Sequence, residues 1–169
     1  TDAVNSANWS VNASTADATG FYETTANDVH DVRQTSGVSI STIAGHKYVI
    51  RVKLKGRGRT WAYVNFYNGA SHIANFNLSA AGAVGTLTGP VSNAGIELQS
   101  DKYYLVTFMA SPVGSAVITF AVGSSTGDEG YTFVGDVTKG MDVKNVQFED
   151  VTGQANQNPS EYVSVGVLS

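Results

Sequence analysis

A chain of 169 residues, 42% apolar and 10% aromatic, has the size and composition of one domain with a substantial core. Its formal net charge of −4 disfavours a general nucleic-acid binder, whose usual footprint is a strongly basic domain. The absence of cysteine removes disulfide frameworks, thiolate metal sites and cysteine nucleophiles together, and no apolar run approaches the roughly 18 residues of a membrane span.

Eighteen glycines, 14% charged residues and abundant Ser, Thr, Asn and Val describe strands and turns rather than helices. The opening "TDAVNSANWS" lacks the basic-then-apolar order of an export signal. A start at Thr1 and an apolar end, "VSVGVLS", read as a module cut from a longer polypeptide. Residues 1–36 read as an irregular lead-in with the first strands, residues 37–152 as the body of the same domain, and residues 153–169 as an exit segment or connector. Within the lead-in, residues 22–33 suit either a turn or two of helix or irregular chain.

From Val38 onward the dominant pattern is alternation. In "KYVIRVKLK", Tyr48, Ile50, Val52 and Leu54 share one parity, while Lys47, Arg51, Lys53 and Lys55 share the other, as in a half-buried strand. "TWAYVNFYN" alternates again, with Ala62, Val64 and Phe66 on one face and Trp61, Tyr63, Asn65 and Tyr67 on the other. The short loop "GRG" between the two runs predicts a hairpin. On that register the odd residues of both strands share one sheet face, placing cations beside aromatics. Further strands are expected at "SHIANFNL", "NAGIELQ", "KYYLVTFMAS", "SAVITFAVG" and "MDVKNVQFE", separated by turn clusters. In "KYYLVTFMAS", Tyr104, Val106 and Phe108 take the core parity, leaving Tyr103 and Thr107 outside. The class is therefore all-β, an antiparallel β-sandwich of jelly-roll type.

The order and spacing of "GVSISTIAGHKYVIRVKLKGRGRTWAYVNFYN", "ANFNLSAAGAVGTLTG", "DKYYLVTFMAS", "YTFVGDVTKGMDVKNVQFED" and "NPSEYV" resemble the carbohydrate-binding-module-like jelly-roll domains of phage tail, fibre and other virion proteins. The resemblance spans roughly residues 37–163. It implies a virion or extracellular setting and a polysaccharide partner. Such domains are similar to calcium-containing sandwich modules that accompany polysaccharide-degrading enzymes. There a strand near the C-terminus carries adjacent acidic residues, whereas this chain has Lys144 and Asn145, which argues against an inherited calcium site. Calcium stays open through the acidic loops holding Asp128, Glu129 and Asp136, although Asp beside Gly is most simply a turn former.

Catalytic signatures are missing. His30, His46 and His72 sit in unrelated contexts, no serine carries a nucleophile motif, and "GRGRTW" lacks the third glycine and following helix of a phosphate loop. The chain is therefore expected to be no enzyme, with a polysaccharide hydrolase or lyase kept as a lesser alternative.

Six of the ten Lys and Arg residues lie between Lys47 and Arg59, directly before the aromatics. Aromatic rings stack on the apolar faces of sugars, and Arg, Lys and Asn donate to hydroxyls and carboxylates, so the mixture suits a glycan, acidic ones included. The residues expected to bind are Trp61, Tyr63 and Tyr67 for stacking, with Arg51, Lys53, Arg59 and Asn65 for polar contacts. The plainer explanation is that strand lysines blunt edges and the aromatics only cover a sheet. Tyr131 and Phe133, after the "GDEG" turn, suit capping the sandwich better than rimming a site. The expected function is non-catalytic polysaccharide binding by an aromatic and basic sheet face or loop edge, with no nucleic-acid or membrane partner. The isolated module is expected to be a monomer and its parent protein a multimer. The main rival is a structural virion spacer or decoration without a ligand.

Overall fold

The computed structural model describes residues 9–34 and 41–160. Within them the chain forms β1 (Trp9–Asn12), β2 (Ser14–Ala16), β3 (Gly20–Glu23), β4 (Asn27–Val29), β5 (Asp31–Gln34), β6 (Tyr48–Arg57), β7 (Trp61–Tyr67), β8 (Ser71–Asn77), β9 (Ala83–Thr88), β10 (Val91–Leu98), β11 (Tyr104–Ala110), β12 (Thr119–Ser125), β13 (Thr132–Val134) and β14 (Gly140–Asp150). One sheet has the order β1-β5-β12-β7-β8-β9 and the other β10-β11-β6-β14-β3-β2, while β13 and β4 form a small ribbon. All named pairings are antiparallel, and the two six-stranded sheets pack as a β-sandwich. Among the described residues there is no helix, so residues 22–33 contribute short strands instead.

The core follows the alternation of the sequence. Tyr48, Ile50, Val52 and Leu54 of β6 face Ala62, Val64 and Phe66 of β7, all buried in one cluster. Phe76, Tyr104, Val106, Phe108, Phe120, Val122 and Met141 complete the layer between the sheets. Period-two alternation of this kind directs one face of each sheet into the core and the other outward.

The expected hairpin between residues 47–55 and 60–68 does not form. β6 pairs with β11 and β14, whereas β7 pairs with β12 and β8, so the two strands belong to opposite sheets. The connection Gly58 to Thr60 crosses the sandwich edge. Sheets pack about 10 Å apart, a distance that three extended residues can span. Gly56 permits the crossing, because the chain folds back on it so closely that an added Cβ would lie 1.8 Å from the Arg59 carbonyl oxygen. Gly58 takes the left-handed φ of 73° that favours glycine. The consequence is geometric. With both inner faces directed at one core, the odd residues of β6 and β7 point away from each other.

The crossing is held from inside. Arg59 donates from Nε to Glu23 Oε1 and from Nη2 to Glu23 Oε2, both at 2.7 Å. The Glu23 side chain is fully buried. It also accepts from Ser124 Oγ of β12 at 2.8 Å and from the Asp136 backbone N–H at 2.9 Å. Burial raises the Glu23 carboxyl, but the bonds from Arg59, Asp136 and Ser124 outweigh it and hold the group below its ordinary 4.5. The Arg59 guanidinium in turn lies over the Phe133 ring, 4.6 Å from its centroid, and thus ties β13 to the same node.

Two outcomes are expected of this pair. Arg59→Ala strands a buried carboxylate and should cost about 3–5 kcal/mol, read as a lowered urea midpoint. Because the folded pKa of Glu23 is depressed, its contribution is present above the ordinary glutamate range and lost as pH falls through the folded value. Glu23→Gln should therefore flatten the acid limb of stability against pH; an unchanged acid limb would show that other carboxylates set it.

Candidate functional site

The outer face of the first sheet is organised in cross-strand rungs. One runs Asn75, Tyr63, Gly123, Asp31 and Asn12, and the next Ile73, Asn65, Ala121, Arg33 and Ser10. A third holds Ser71, Tyr67 and Thr119. In these three rungs the central strand β12 thus offers Thr119, Ala121 and Gly123 on this side. Small residues between the larger side chains of β7 and β5 leave a trough. A groove of about 530 Å³ results, lined by residues that include Asp31, Arg33, Tyr63, Asn65, Tyr67 and Tyr131, with Val29, Ser71, Ile73, Thr119 and Ala121. That volume is typical of a small-molecule or oligomer site.

Gly123 has a direct role here. The Tyr63 ring crosses β12 at this glycine, and an added Cβ would lie 2.2 Å from Tyr63 Cε1. Its hydroxyl thereby reaches the next strand but one and donates to Asp31 Oδ2 at 2.7 Å. Arg33 Nε donates to Asp31 Oδ1 at 2.8 Å. Burial raises the Asp31 carboxyl above its ordinary value, against the opposing bonds from Arg33 and Tyr63. Burial and the neighbouring Asp31 carboxylate push the Tyr63 phenol well above 10, so it stays a donor at neutral pH. The hydrogen bond to Asp31 raises Arg33 further above the ordinary arginine range.

Tyr131 closes over the same region. Its hydroxyl accepts from Asn75 Nδ2 at 2.9 Å, and its ring meets Tyr63 edge-on with centroids 5.0 Å apart. The loop carrying it is pinned by Asp128, which accepts from the Thr86 backbone N–H at 2.9 Å and from Thr86 Oγ1 at 2.9 Å. Tyr131 therefore walls the groove rather than only capping the sandwich. Phe133 is the cap, its ring tilted against His30 with centroids 4.7 Å apart and lying beneath Arg59.

The seven residues expected to form one stripe are divided among four places. Tyr63, Asn65 and Tyr67 line the groove. Trp61 is half-buried one rung further along, its ring against Gly85. Arg59 is committed to Glu23. Arg51 and Lys53 lie on the outer face of the opposite sheet, where Arg51 Nη1 donates to the Ser160 carbonyl at 3.0 Å and Lys53 Nζ to Asp101 Oδ2 at 3.2 Å. Lys144 also reaches Asp101 and sits 3.6 Å from the Tyr103 ring centroid, holding the Asp101 carboxyl down to about 2. The shared face of cations and aromatics is thus corrected to two opposed faces, because the strands never pair.

Asp31 and Arg33 carry no signal of their own in the sequence. They lie in a four-residue strand some 30 positions before β7, too short to show a period. The readable signal is in "TFAVGSS", whose outward parity holds only Thr119, Ala121, Gly123 and Ser125. Among the described residues no group of three or more His, Cys, Asp or Glu converges as a metal site. The acidic loops accept from neighbouring groups: Asp136 from Thr138 N–H and Oγ1 of its own turn, and Asp128 and Glu129 from Thr86 and Thr88 of β9.

Gly123→Ala should displace the Tyr63 ring and cost about 1–3 kcal/mol, and much less when introduced into Tyr63→Ala, where no ring is left to displace. Equal costs in the two backgrounds, measured by denaturant unfolding, would place the strain elsewhere. Neither a family model nor a curated protein matches the chain, so the functional reading rests on this groove.

Proposed function

We propose that the chain is a non-catalytic carbohydrate-binding β-sandwich that holds a polysaccharide in the groove on the outer face of its first sheet. The observation that carries this reading is the placement of Tyr67, 46% exposed, beside Asn65, Arg33 and a trough of small side chains. An exposed phenol supplies a flat apolar surface for a sugar ring, while Asn and Arg supply directed donors for hydroxyl or carboxylate oxygens. Tyr63 and Asp31, buried and bonded to each other, position Arg33 rather than meet the ligand broadly.

The resemblance to virion domains supports a virion or extracellular setting, where repetition in a multimeric parent would turn weak adsorption into avidity. A binding role fits the groove better than glycoside hydrolysis, which ordinarily uses two carboxyl groups flanking the scissile bond. Among the described residues the carboxylate lining this groove is Asp31, with both oxygens engaged, and the adjacent phenol is held protonated.

The test is an affinity-gel screen of neutral and acidic polysaccharides, with calcium and with chelator. Tyr67→Ala and Arg33→Ala should each weaken binding about tenfold, the loss expected for one stacking or charge-assisted contact. Arg51→Ala and Lys53→Ala, on the opposite sheet, should leave it unchanged. Loss confined to the latter pair would move the site to the second sheet, and abolition by chelator would put a metal in it. A folded domain that binds nothing would leave a spacer or decoration as the better reading.

A further inference from the structure

Resting on the carbohydrate-binding reading, we infer that the groove is blind at one end and takes the terminus of a glycan chain rather than an internal stretch of it. The trough runs along β12 from Thr119 past Ala121 to Gly123, flanked by the side chains of β7 and β5. At Gly123 it is barred. The Tyr63 ring lies across the strand there, and its hydrogen bond to Asp31 joins the two flanking strands over the trough.

Exposure along the outer face changes with the same polarity. Ser125, Asn75, Asp31 and Tyr63 all have outward parity, yet they are exposed by only 1%, 0%, 2% and 4%. At the other end Tyr67 is 46% exposed and the Arg33 side chain 40%. A sheet face open at both ends would show no such gradient. Its cause is the loop between β12 and β13, which folds back over the face, pinned by Asp128 to Thr86 and by Tyr131 to Asn75. Successive rungs are about 6.8 Å apart along a strand, so the open part covers two rungs before the bar. A polymer laid along β12 would have to pass through Tyr63 and Tyr131 to continue. A chain end can stop against them, with its last unit between Arg33, Asn65 and the bar and the preceding unit over Tyr67.

Chain ends and internal segments differ in how they scale with mass, and that difference can be measured whatever the sugar is. Each linear member of the polysaccharide panel is offered at equal mass, intact and as its own partial hydrolysate, and the domain bound at saturation is measured. End binding predicts that the capacity per gram rises in proportion to the number of chain ends. Internal binding predicts a constant capacity until fragments become shorter than the site, and that result overturns the inference while leaving the carbohydrate-binding reading in place. Absence of binding to every member overturns both. Tyr131→Ala combined with Tyr63→Ala, checked for folding by circular dichroism, should open the blind end and make capacity independent of hydrolysis. Retained dependence on chain ends in that folded variant would show that these residues are not the barrier, against the inference.

Discussion

The buried ion pair between Arg59 and Glu23 ties the two sheets together where the chain crosses from one to the other. Glu23 belongs to one sheet, Ser124 to the other, and Arg59 to the chain that passes between them, so one carboxylate fixes the relation of all three. Burying a charge is costly unless its oxygens are satisfied, and here both oxygens take two partners each. The fourth partner, the Asp136 backbone, brings in the segment after β13. His30 adds to this, with its Nε2 3.1 Å from the Phe133 carbonyl oxygen. The end of the sandwich is therefore organised by polar contacts where the apolar layer between the sheets runs out.

That organisation reaches the groove through the chain rather than through space. Phe133 is held by Arg59 and His30, and two residues earlier Tyr131 is laid against Tyr63. Tyr63 can occupy its place only because β12 has glycine beneath it, and its bond to Asp31 holds a carboxylate that burial alone would push toward neutrality. Arg33 receives its orientation from that carboxylate. The half-exposed guanidinium is thus the outermost member of a connected polar set, which limits its freedom at little cost in binding entropy.

Much of the fold is legible in the sequence because the alternation is strong where strands are long. The parities of Tyr48 to Leu54 and of Ala62 to Phe66 are those of the core, as are Tyr104, Val106 and Phe108. The hairpin expectation fails because a short Gly-containing loop between two alternating runs is compatible with a turn or with a crossing between sheets. The deciding contact, Arg59 to Glu23, joins residues 36 positions apart. β9 is hard to read because its residues are mostly exposed, without an alternating apolar face. In the site, Tyr63, Asn65 and Tyr67 are visible as one outward parity. Asp31, Arg33 and Tyr131 are not, since only the pairing of β5 with β12 and the return of the loop bring them there.

The separation of the cations from the aromatics changes the electrostatic character of the site. On the second sheet Arg57 is bound to Asp17 and Asp142, Lys53 and Lys144 share Asp101, and Arg51 meets the exit segment at Ser160. That face is largely neutralised by the chain's own carboxylates, and its exposed pairs contribute little individually. Among the described residues the groove holds one cation, Arg33, and one buried carboxylate, Asp31, in direct contact. A ligand there meets a dipole and a flat phenol instead of a field of positive charge. Such a site distinguishes ligands by where their hydroxyls and any carboxylate lie relative to Arg33, so shape and hydrogen-bond placement outweigh net charge in the selection.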